Sequence, residues 1–101
     1  MGKVHLYALP GLAETLGIER TSEEPIPDQG IGGDTSVRDI LNRLCARYQR
    51  FGRIVFDMDA QKLTGRVAIF FNGRSLELVN GLESKLSDGD SLTFVAPIEG
   101  G

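Results

Sequence analysis

The sequence predicts an α+β architecture in two layers, with one main helix laid on a mixed sheet of four to five strands. Three observations carry this. Val37, Ile40, Leu41, Leu44, Tyr48 and Phe51 recur at helical spacing and make one apolar stripe. Val4 to Leu9, Val67 to Phe71 and Leu92 to Val95 alternate as strands do. Asn72-Gly73, Asn80-Gly81 and Asp88-Gly89-Asp90 are turn sequences, and they cut the second half of the chain into short pieces.

Taken in order, strand one puts Val4, Leu6 and Ala8 on one side and His5, Tyr7 and Leu9 on the other, and Pro10-Gly11 closes it. His5 reads as a polar residue of the outer face, because no nucleophile or carboxylate motif accompanies it. Leu12, Leu16 and Ile18 supply a short turn and a second strand whose course the pattern does not define. Residues 22–33 then read as loop. Gly30-Ile31-Gly32-Gly33 precedes a helix but lacks a Walker lysine and a full dinucleotide fingerprint, so it is taken as a linker.

Ser36-Val37-Arg38-Asp39 approximates a capping box that starts the helix, and Gly52 is the expected stop. Arg43, Arg47, Arg50 and Arg53 lie off the stripe or near the helix end and read as a solvated face. Cys45 borders the stripe as a partly buried small hydrophobe. Residues 54–65 have no assignable pattern. In Val67 to Phe71, Val67, Ile69 and Phe71 face one way and Ala68 and Phe70 the other; Leu76 to Val79 reads as a short strand after the Asn72-Gly73 turn. The last strand has Leu92 and Phe94 on one face and Thr93 and Val95 on the other.

Composition narrows the function. The chain has 101 residues, 41% hydrophobic, which suits a single core spanning 1–101. A net charge of -3 gives no basic field for nucleic acid or an anionic membrane. Apolar runs are strand-sized and no leader pattern opens the chain, so a cytoplasmic protein is expected. One cysteine excludes an internal disulfide, and one histidine leaves no zinc ligand set.

The last eight residues, Phe94-Val95-Ala96-Pro97-Ile98-Glu99-Gly100-Gly101, carry the functional signal. Without Cβ atoms, Gly100 and Gly101 fit a narrow channel and present the terminal carboxylate. Pro97 fixes its own φ and biases Ala96 to extended conformations, making residues 97–101 a stiff thread reaching at most ~17 Å.

This element order, with the Val67-to-Asn72 strand, Leu86-Ser87-Asp88-Gly89-Asp90 and Ala96-Pro97-Ile98-Glu99-Gly100-Gly101, resembles the MoaD/ThiS family of ubiquitin-like β-grasp sulfur carriers. The resemblance covers the chain apart from an apparent loop insertion at about 17–34. Ala96-Pro97 stands where the family often has Pro-Pro. It implies that a ubiquitin-activating-like adenylyltransferase, using ATP, adenylates the Gly101 carboxylate, which becomes a thiocarboxylate and donates sulfur. No cofactor or metal would be bound by this chain, which would have no catalytic site of its own. Its length is closer to the longer MoaD-like small subunits of molybdopterin synthase, whose large subunit would be the acceptor. A carrier for thiamine thiazole or cysteine synthesis, and a ubiquitin-like protein modifier, remain alternatives. The helix covers one face of the sheet, so Tyr7, Phe70 and Val95 on the other face, with Pro97 and Ile98 beside them, are the candidate partner surface. The competing possibility is that the 17–34 insertion covers those side chains.

Overall fold

Strand β1 (Gly2–Ala8) alternates strictly, burying Gly2, Val4, Leu6 and Ala8 while Lys3 and Tyr7 stay exposed. It is one of five strands in a mixed sheet, in a computed structural model that describes residues 2–26, 35–79 and 81–96. β2 (Thr21–Ile26) pairs antiparallel with β1, and β7 (Ser91–Val95) pairs parallel with it on the other side. β5 (Ala68–Phe71) runs antiparallel to β7, and β6 (Arg74–Ser75) closes the edge. A parallel β1–β7 pair requires a crossover, and the chain between them supplies the helical layer.

Between β1 and β2 lies a short helix α1 (Leu12–Leu16), which ends at Gly17 in the left-handed region with φ 79°. The expectation of a loop over residues 22–33 is corrected for Thr21–Ile26. Two residues hid this strand. Glu24 occupies an inward position, 1% exposed, which breaks the apolar alternation. Pro25, which donates no backbone hydrogen bond, is acceptable because β2 is an edge strand. Residues 27–34, with the Gly30-to-Gly33 run, lie outside the described residues.

Helix α2 (Val37–Arg47) starts where the capping sequence places it. Ser36 N–H donates to Asp39 Oδ2 at 2.9 Å and Asp39 N–H to Ser36 Oγ at 3.3 Å. Val37, Ile40, Leu41, Leu44 and Cys45 are its buried face. The stripe does not run on as one helix to Gly52, however. Tyr48 is extended, with φ -123° and ψ 111°, and a second helix α3 (Phe51–Ile54) follows. Beyond the break Phe51, fully buried, meets Phe94 edge-to-face at 5.4 Å, a contact between helical layer and sheet.

The unassigned stretch 54–65 contains a two-stranded ribbon, β3 (Phe56–Asp57) with β4 (Lys62–Leu63). Arg38 holds it against α2, with Nη1 donating to the Gln61 carbonyl at 2.7 Å while Nε and Nη2 donate to Glu83 Oε2. The strand expected at Leu76 to Val79 is instead a 3-10 turn, Leu76–Leu78. A strand would send Leu76 and Leu78 the same way. Only Leu76 is buried, at 2% exposure, and Leu78 stands 80% exposed. Asn72 and Gly73, at φ 52° and 85°, form the left-handed turn that Asn-Gly predicts. Asn72 also fastens the turn to β7, because its Oδ1 accepts from Ser91 N–H at 2.8 Å and its Nδ2 donates to Asp90 Oδ1.

Candidate functional site

The site is built on β7. Leu92 and Phe94 are fully buried beneath the sheet, which anchors this central strand between β1 and β5 up to the point where it hands the chain on through Ala96. The start of the strand is also tied down. Lys3 N–H donates to Asp88 Oδ1 at 3.0 Å, and Gly89 N–H donates to the Lys3 carbonyl at 2.9 Å. Gly100, Gly101, Pro97 and Ile98, the expected reacting and threading residues, lie outside the described residues.

Strand register brings the other three expected residues onto one face. Tyr7 lies opposite Thr93, and Thr93 lies opposite Phe70, so the three form a row across β1, β7 and β5. The next row places Val95 opposite Ala68, and Leu9 N–H reaches the Phe94 carbonyl at 3.4 Å on the other flank. Tyr7 is 41% and Leu9 46% exposed, while Phe70 and Val95 are half-buried. Leu9 and Ala68 also belong to this face, beyond the residues expected there from the sequence. Their signal was the same alternation that identified Tyr7 and Phe70.

At its far end the outer face turns polar. Glu23 lies opposite His5 with its Oε2 3.4 Å from His5 Nδ1, and Lys3 Nζ is 3.2 Å from the same carboxylate. Residues 21–26 therefore extend this face as part of the sheet and do not cover it.

Cys45 is remote from this face. It is 8% exposed in the core, its thiol donates to the Phe56 carbonyl at 3.6 Å, and burial pushes its pKa up, favouring the unreactive thiol. Among the described residues, no group of three His, Cys, Asp or Glu side chains could hold a metal ion, and no helix is long and apolar enough to cross a membrane.

Comparison with known proteins bears on what such an arrangement is used for. The profile of the ThiS family matches residues 14–101. Small archaeal modifier protein 3 of Haloferax volcanii is 31% identical over 72 residues, covering 70% of this chain and 75% of that protein. Among solved structures, small archaeal modifier protein 1 of H. volcanii superposes with a TM-score of 0.73 at 25% identity, over 99% of this chain and 100% of that one. Small archaeal modifier protein 1 of Methanosarcina acetivorans gives 0.74 at 24% identity, over 100% and 98%. Sequence match and shared architecture agree: this chain belongs to the ThiS family, within the MoaD/ThiS group of ubiquitin-like β-grasp sulfur carriers and modifiers.

Proposed function

We propose that this protein is a cytoplasmic sulfur carrier that acts through the Gly101 carboxylate and has no catalytic site of its own. The observation that carries the reading is the pairing of an anchored central strand, β7, with a family match that continues through residue 101. A carboxylate is a poor electrophile. Attack of its oxygen on the α-phosphorus of ATP, in the site of a ubiquitin-activating-like adenylyltransferase, releases pyrophosphate and leaves an acyl-adenylate. A sulfur nucleophile at the sulfide level then expels AMP and leaves the thiocarboxylate. Nucleotide and metal belong to the activating partner. The acceptor we propose is the large subunit of molybdopterin synthase, in keeping with the length of the chain. The name of the H. volcanii relative favours a second reading, in which Gly101 forms isopeptide bonds with lysines of other proteins.

Intact mass separates the two. Recovered with its native end from its own cells, a carrier carries a form heavier by the difference between sulfur and oxygen; a modifier appears as higher-mass conjugates. If neither is found, the carrier proposal is wrong. Two variants refine it. Phe70→Arg, on the outer face, should weaken both activating enzyme and acceptor by ~2 kcal/mol without unfolding the protein, since a buried aromatic anchor at an interface has this effect. Unchanged titrations with both partners would remove the outer face from the interface. Cys45→Ala should keep full sulfur transfer and lose about 1 kcal/mol of stability through lost packing. Loss of transfer in a folded Cys45→Ala protein would assign the thiol a role that its burial argues against.

A further inference from the structure

The opposite layer carries a second surface that the carrier reading leaves unused. Arg43 and Arg47 lie one turn apart on α2, and Arg50, beyond the break at Tyr48, lines one recess with Arg47. From 43 to 53 the chain has four arginines and no acid, in a protein of net charge -3. Two of these guanidiniums are held by neutral partners. Arg43 Nη1 donates to the Pro25 carbonyl at 2.6 Å, and Arg50 Nη1 donates to the Thr15 carbonyl at 3.4 Å. Among the described residues, Arg47 alone of the three is paired with a carboxylate, and its side chain is still 52% exposed.

Anchoring to carbonyls positions the positive charge without cancelling it, and it reduces the entropy lost when a ligand binds. Each guanidinium has five N–H donors, so those engaged here leave others for a planar acceptor. Beside them lies a recess of about 320 Å³ lined by Leu16, Gly17, Arg47, Tyr48, Gln49 and Arg50. One turn of α2 and one recess give room for a few carboxylates but are short for a nucleic-acid track, which the overall negative charge also disfavours.

We infer that the Arg43–Arg47–Arg50 face docks a short acidic segment of a partner protein. It lies on the helical layer, opposite the Tyr7–Thr93–Phe70 row, so such a partner could be held while the outer face is occupied. The inference does not depend on sulfur carriage, and its test reads binding alone. Amide spectra of the full chain titrated with a decaglutamate peptide should shift at residues 43–53 and at Leu16 and Gly17. Affinity should fall about tenfold between low and physiological salt. Arg50→Glu, which reverses the charge at the recess, should abolish the shifts while leaving the melting temperature near wild type; Arg47 is left in place because it holds Glu24. Absence of shifts, shifts elsewhere, or indifference to the charge reversal would overturn the inference. So would tighter binding of a decathymidylate strand at the same residues, which would identify the occupant as nucleic acid.

Discussion

Replacing Arg47 with alanine should destabilise the protein by about 2 kcal/mol in urea or thermal unfolding, because it strands a buried charge. Glu24 is 1% exposed, and both of its oxygens accept from Arg47, at 3.0 Å each. Removing one partner of a fully buried pair typically costs more than this. Here the guanidinium is half-exposed, so water can take over part of its role. The loss should fall on the β2 edge, where Arg43 also grips the Pro25 carbonyl. Glu24→Gln added to Arg47→Ala should restore part of the stability, since an amide is cheaper to bury than a carboxylate. If Arg47→Ala unfolds at the wild-type midpoint, the pair does not hold β2.

That pair also explains what the sequence concealed. Where local rules and tertiary demands agree, the structure was legible: the Ser36-to-Asp39 cap, the alternation of β1, β5 and β7, and the Asn72-Gly73 turn all form as their residues predict. β2 escaped notice because its inward Glu24 is satisfied by an arginine more than twenty residues away, a compensation that no local pattern contains. The break at Tyr48 was invisible for a similar reason, since Phe51 leaves the helical stripe to meet Phe94. β3 and β4 are two residues each, too short to alternate. For the outer face, parity alone identified Tyr7, Phe70 and Val95. Their alignment into adjacent rows needed the β1–β7 and β5–β7 registers, which join distant parts of the chain.

Shortening the chain by Gly101, or extending it by one residue, should abolish adenylation while moving the melting temperature little. The large loss is chemical: the reacting carboxylate would be withdrawn from the adenylation site or displaced by an added residue, and a misplacement of about 1 Å can cost ~100-fold. The small change in stability follows from the core, whose large side chains Phe51, Phe56 and Phe94 lie wholly within the described fold. The tail and the fold can therefore be tested separately. The direct measurement is pyrophosphate release, with ATP and the cognate activating enzyme, for the native chain, the chain lacking Gly101 and the chain extended beyond it, each first shown to be folded. Release is expected with the native chain alone; equal release from the shortened or extended chain would rule out Gly101 as the reacting end.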